Sequence, residues 1–240
     1  VGVRAIQHFH GTPITPRSVL HSLAGRSFCV PHPEPRDLEI CHEIGENVML
    51  DNGAFSAWTK GRTVDWPSYY RWVEPWLEYP TTWAVIPDVI DAPAEVQDAL
   101  LAEWPHGEKG APVWHMHEPV DRLLRLAQEW PRVCVGSSGT YSTVGSPAWE
   151  RRMHEAMDAL CGNGPVPVWL HMLRGLRYSG SGYPFASADS TDVARNHAGT
   201  NSGRPPKSAA AMAARIDARQ CHPRWKTSPI PVPLWQEAAV

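Results

Sequence analysis

The 240-residue chain has no apolar run of membrane-spanning length, no closely paired cysteines and no large excess of either charge. Without about 20 consecutive apolar residues a transmembrane helix is excluded, so no membrane partner is expected. The first residues carry no secretory signal pattern, which makes a cytoplasmic location the expectation. The chain starts at Val1 rather than Met, so starting residues are expected to be missing. Cys29, Cys41, Cys134, Cys161 and Cys221 are odd in number and widely spaced, signalling neither a zinc ribbon nor a disulfide framework. Cys29 and Cys134 stand in apolar runs and read as core. No glycine-rich phosphate loop follows the first apolar run, which counts against a dinucleotide-binding open sheet. A net charge of −3 excludes attraction of polyanions to the molecule as a whole. Any nucleic-acid contact must therefore use a local patch, and one exists. Arg195, Arg204, Lys207, Arg215, Arg219, Arg224 and Lys226 are opposed only by Asp217 across that stretch.

What is present is an ordinary balance for a soluble domain, 42% hydrophobic and 20% charged. Short apolar, β-rich runs predict strands at 4–9, 27–31, 47–51, 82–88, 112–117, 132–137, 166–172 and 184–189. Helical patterns lie between them. Over 119–130, Val120, Leu123, Leu124 and Ala127 form one face, while Asp121, Arg122, Arg125 and Gln128 are expected to face away. Over 146–161, Ser146-Pro147 is an N-cap followed by a first-turn proline, and Trp149, Met153, Met157 and Leu160 make the stripe. Eight strands alternating with helices predict a single (β/α)8 TIM barrel over residues 1–240. Its seventh helix is doubtful, because LRGLRYSGSGYP reads as a flexible loop. Residues 190–240 read as a basic segment, a last helix and a proline-rich tail lying extended against the body.

A barrel of this kind builds its site at the C-terminal ends of the strands. The residues there are Asp51, Asp88, His115 and His117, the turn Gly136-Ser137-Ser138-Gly139, His171 and Asp189. Any one such aspartate is better read as a helix cap or a partner for loop amides. Three after long apolar strands shift the balance towards chemistry. Asp51 and Asp189 supply the two carboxylates of a double displacement at a sugar carbon, one attacking and one moving the proton. Gly136-Ser137-Ser138-Gly139 reads either as a plain turn or as backbone brought close to a planar ligand. Phe55 reads either as core or as a stacking partner. Trp66, Trp72, Trp76, Trp104 and Trp130 read as packing.

The histidines raise a rival. His8-x-His10, His115-x-His117 and Asp189 have the layout of the metal ligands in amidohydrolase barrels, since alternate strand residues share a face. Ser137 stands where that family places a further histidine. Hydrogen-bonded pocket histidines are the plainer reading of His8 and His10.

Taken in order, these strand ends resemble the tRNA-guanine transglycosylase superfamily, in its shorter phage and bacterial branch, the 7-deazaguanine DNA transglycosylases. The residues that carry the resemblance are Asp51-Asn52-Gly53-Ala54-Phe55-Ser56, Asp88 in VIPD, Val135-Gly136-Ser137-Ser138, and Asp189 through Arg195. The resemblance spans roughly residues 5 to 200 and implies exchange of guanine in DNA for a 7-deazaguanine such as preQ0. Asp189 would be the nucleophile and Asp51 the general acid/base. Asp88 would accept from the purine N1–H and exocyclic amine. Backbone N–H groups at Ser137 and Ser138 would hold O6, and Gly136 before them would also line the base. Phe55 would stack on one face of the base, with Met172 or Leu173 on the other. The expected partners are DNA, with its guanine nucleotide flipped out or single-stranded, and the free base; no cofactor or metal is expected. A phage gene would put the protein in the host cytoplasm. Arg174, Arg177, Arg195, Arg204 and Lys207 would track the phosphates.

The departures are specific. Ser56 stands where the family has Gln, and His117 replaces the Gln that ends its fifth strand. No C-x-C-x-x-C zinc site follows Asp189, which points to DNA rather than tRNA as the polymer. A tRNA-guanine transglycosylase, a metal-dependent hydrolase and an inactive DNA-binding barrel are the alternatives.

Overall fold

The computed structural model describes residues 6–198 and 208–227. Every predicted apolar run there forms a strand. These are β1 (Gln7–Gly11), β2 (Ser27–Pro31), β3 (Asn47–Asp51), β4 (Thr82–Val85), β5 (Gly110–Ala111), β6 (Val113–His115), β7 (Arg132–Gly136), β8 (Trp169–Met172) and β9 (Ser187–Ser190). All pairings are parallel, in the order β5-β4-β3-β2-β1-β9-β8-β7-β6. The two ends of that order are one stretch of chain, because only Pro112 separates β5 from β6. A proline cannot donate to a ladder, so the strand breaks there. Its carbonyl still accepts the Cys134 N–H at 2.8 Å, and the Ala111 carbonyl accepts Ile86 N–H at 3.0 Å. The result is a nearly closed, TIM-like barrel of parallel strands.

Helices wrap the strands: α1 (Arg17–His21), α2 (Leu38–Ile44), α3 (Ala54–Thr59), α4 (Trp66–Val73), α5 (Ala94–Ala102), α6 (Val120–Glu129), α7 (Pro147–Cys161), α8 (Asp192–Asn196) and α9 (Ala209–Asp217). In α7 the Ser146 hydroxyl accepts the Trp149 N–H at 3.2 Å, as the cap predicts, and Trp149, Met153, Met157 and Leu160 are buried. No helix follows β8. The 3-10 turn Leu176–Tyr178 stands there, and Tyr178, Tyr183, Phe185, Cys221 and Trp225 fill the wall beside α7. The Trp225 indole fixes this last segment by donating to Asp158 at 2.6 Å.

Strand alternation divides the apolar residues into two shells. Phe9, Cys29, Met49, Trp83, Val85, Val113 and Cys134 fill the barrel interior. Their sequence neighbours Phe28, Val30, Val48, Leu50, Trp114, Val133 and Val135, together with Leu170 and Met172 on β8, pack outwards against the helices. Each large side chain buried this way contributes about 1.5–3 kcal/mol. One expectation on α6 is corrected. Arg122 does not face solvent; it is buried and donates to Glu118 Oε2 at 2.9 Å, Val113 O at 2.9 Å and Asp98 Oδ1 at 3.0 Å. Its long stem lies along apolar surface while its head finds partners. No helix among the described residues is long and apolar enough to cross a membrane. The proline-rich tail lies outside the described residues.

Candidate active site

Interior positions two apart on a strand share a face, so the residues above the apolar layer follow from those below it. Asp51 follows Met49 on β3, His115 follows Val113 on β6, Gly136 follows Cys134 on β7, and Asp189 follows Ser187 on β9. His171 lies on the inner face of β8, edge-on to Phe9 and Trp83 at 5.8 and 5.4 Å between ring centroids. The mouth of the barrel therefore gathers carboxylates and imidazoles over a hydrophobic floor.

Asp51 is pushed up to about 7 by burial first, then by the charges of Asp189 and Asp88. The Gly53 N–H and the Arg174 guanidinium pull the other way without cancelling them. Gly53 adopts φ +77°, a left-handed turn that favours glycine, and a side chain there would meet Pro33 at 2.6 Å. That turn folds the chain back so that its N–H reaches the Asp51 carboxylate.

Asp189 is held by two donors. The Arg174 backbone N–H meets its Oδ1 at 2.7 Å, and His171 Nε2 lies 3.3 Å from the same oxygen. Arg174 reaches this position at φ +55°, an uncommon conformation for a residue with a side chain. Behind His171, its Nδ1 sits 2.8 Å from Ser187 Oγ, which also accepts the Trp169 indole N–H at 2.7 Å. With the serine oxygen receiving the indole proton, its own hydroxyl is free to donate to Nδ1. The proton of a neutral His171 then sits on Nε2, pointing at Asp189. Oδ1 is engaged, and no hydrogen bond among the described residues engages Oδ2.

Asp88 is buried, with Oδ1 accepting from Asn52 Nδ2 at 2.7 Å and Oδ2 lying 3.0 Å from His115 Nε2. The second contact is close but poorly aligned, so neither ring nitrogen of His115 has a hydrogen-bond partner. Sequence reasoning did not single out Asn52. Its amide also donates to Ile86 O at 2.9 Å, and its oxygen accepts Ala54 N–H at 2.9 Å, tying the ends of β3 and β4 together. The Asx turn it makes was readable in Asn52-Gly53; the cross-strand bond was not.

His117 is spent on Ser138 Oγ at 2.7 Å and the Ala92 carbonyl at 2.9 Å. Ser137 points out of the barrel, where its Oγ accepts the Trp149 indole N–H at 2.9 Å, so only its backbone is left for a ligand. Phe55 is exposed at the rim, with the Arg174 guanidinium 3.7 Å from its ring centroid. A base stacking on that face must displace the guanidinium.

Strand parity corrects the placement of Met172 and decides between the two readings of His8 and His10. Met172 is fully buried in the outer shell with Trp114 and Met153 and cannot touch a base in the mouth; Leu173 packs on the inner side. His8 and His10 flank the inward-facing Phe9 and so point outwards, towards α9. His10 Nε2 meets Asp217 Oδ1 at 3.0 Å, His8 Nε2 meets Ser179 Oγ at 2.7 Å, and Asp217 also pairs with Arg26. His8 and His10 thus lie on the opposite face of the sheet from His115 and Asp189, which breaks up the amidohydrolase-like ligand set. Among the described residues no three His, Cys, Asp or Glu side chains are grouped to hold a metal ion.

Of the proposed phosphate contacts, Arg174 is at the mouth, while Arg177 and Arg195 are exposed on the β8–β9 connection and on α8. Arg204 and Lys207 lie outside the described residues. Arg219 is a structural link, donating to Leu176 O at 2.8 Å. A separate cleft of about 360 Å³, lined by Glu150, His154, Tyr183 and Trp225 among others, sits on the outer wall and includes none of the three aspartates. No protein family, curated protein or solved structure matches this chain.

Proposed function

We propose that the protein is a glycosyltransferase that exchanges guanine in DNA for a 7-deazaguanine through a covalent Asp189 intermediate. The observation that carries this reading is the unequal pair of carboxylates at one barrel mouth. Asp51 is raised to about 7, where it can give and take a proton near neutrality, while Asp189 is oriented by two donors on one oxygen. In the first step Asp189 Oδ2 bonds to C1′ as the C1′–N9 bond breaks. The departing guanine keeps the electron pair and takes the proton of Asp51. In the second step N9 of the incoming base attacks C1′, the ester to Asp189 breaks, and the N9 proton passes to Asp51. Asp88 reads the donor edge common to guanine and 7-deazaguanines, exchanging its bond to Asn52 for bonds to the base. Leu173 and Phe55 line the base, and Gly136, Ser137 and Ser138 offer backbone amides.

In this reading β5 and β6 count as one strand interrupted at Pro112, giving a (β/α)8 barrel. The choice of DNA rests on the resemblance of the strand-end residues to the DNA-modifying branch. Incubation with DNA and labelled preQ0, with tRNA offered in competition, tests it. Label entering DNA supports the proposal; label entering tRNA alone transfers the activity to the other polymer, and no label in either removes the activity.

A further inference from the structure

Few large apolar side chains are exposed among the described residues, and two of them sit together. Phe55 is 37% exposed and Trp58 46%, one turn apart on α3, with ring centroids separated by 5.9 Å. Arg174 covers Phe55 from the opposite wall of the mouth. Beyond Trp58 the chain reverses at Gly61, where φ is +61°, and the Arg62 N–H bonds back to Ala57 O at 2.9 Å. This turn holds the exposed Lys60 and Arg62 beside the aromatic pair. No acid occurs from residue 52 to residue 64, and among the described residues neither Lys60 nor Arg62 makes an ion pair.

The exposed pair of aromatic rings beside unpaired cations is a surface that burial within the chain does not account for. The chemistry that fits it is a chain of flat rings linked by phosphates. Aromatic side chains stack on unpaired bases whatever their identity, and nearby cations follow the backbone. A duplex hides the faces of its bases and offers only its phosphates and groove edges. We infer that α3 and the turn after it, centred on Trp58, Lys60 and Arg62, form a platform for unpaired DNA nucleotides flanking the nucleotide held in the barrel mouth. The inference rests on the proposed reading only for which nucleotide enters the mouth; the platform itself requires no chemistry. It makes unpaired DNA, rather than intact duplex, the preferred substrate form.

The test is fluorescence anisotropy with a labelled oligothymidylate, which contains no guanine to exchange, against a duplex of equal length. The expected result is tighter binding of the single strand. Trp58→Leu should weaken it about 10-fold, in line with the loss of one stacked base, while Trp58→Phe should retain most of it. Because Trp58 is exposed, both variants are expected to fold, and a thermal melt checks this. Lys60→Ala with Arg62→Ala should lower the slope of log affinity against log salt by roughly 0.7 per lost single-strand contact. Equal binding by Trp58→Leu and the wild type, or preference for the duplex, would overturn the platform even if base exchange is found. Single-strand binding that depends on Trp58, in a protein that exchanges no base, would leave the platform standing and remove the transglycosylase reading.

Discussion

Replacing Asp51 by asparagine should make the protein less active and, above neutral pH, more stable. Burial and the charges of Asp189 and Asp88 raise Asp51 to about 7, against an ordinary carboxyl near 4. Between those values the folded chain holds a proton that the unfolded chain has released. Stability contributed at this position is therefore full below about pH 4, falls as pH rises, and is lost above about 7. A displacement of this size corresponds to about 4 kcal/mol at most. Asp51 keeps part of its surface in the open mouth, and solvent screening there brings the expectation down to about 1–3 kcal/mol. Asparagine is neutral throughout and can still accept the Gly53 N–H. Urea denaturation of wild type and Asp51→Asn should give similar stabilities near pH 4, with the variant ahead by that amount at pH 8. Turnover should fall by about 10²–10⁴-fold. A difference that is the same at both pH values, or a variant less stable at pH 8, would refute the argument and make Asp51 a structural residue.

The neighbouring groups give related expectations. Asp189→Asn should abolish exchange while the fold persists, and should shift the Asp51 titration downwards by removing one of the charges that raise it; carboxyl NMR reads the second effect. His171→Gln should keep more activity than His171→Ala, because a side-chain N–H can still reach Asp189 Oδ1, with kcat falling about 10-fold or more in the alanine variant and KM nearly unchanged. Trp149→Phe should cost about 2–4 kcal/mol in a thermal melt, through loss of the bond to Ser137 and the void left by the smaller ring. Arg204→Ala with Lys207→Ala should lower the salt slope of DNA binding by roughly 0.7–0.9 per phosphate contact, and an unchanged slope would move the groove elsewhere.

Several strand ends were legible because an apolar run stops at a polar residue or a glycine, as NVML does at Asp51 and RVCV at Gly136. Which face each side chain takes was harder to read. Strands of a parallel barrel are buried on both sides, so apolar residues occupy both parities and the pattern carries no sign. Met172 was misplaced, and the metal-ligand reading of His8-x-His10 fails, for this reason: Phe9 and His171, not their neighbours, turn inwards. The break at Pro112 could have been anticipated from proline alone. The part played by His171 could not, because it depends on Ser187 and Trp169 meeting it across two strands. Arg122 misled through its charge, which its partners on the turn before α6 and on α5 satisfy in the interior.

In the proposed double displacement a sugar carbon of DNA is transferred to Asp189 and then to a new base. The most direct measurement is mass spectrometry of the protein after mixing with guanine-containing single-stranded DNA and rapid acid quenching, followed by peptide mapping. The expected product is a protein–DNA adduct lacking one guanine, attached at Asp189, that disappears on adding a 7-deazaguanine as the modified DNA is released. An adduct at Asp51 or Asp192, or exchange proceeding in Asp189→Asn, would contradict it.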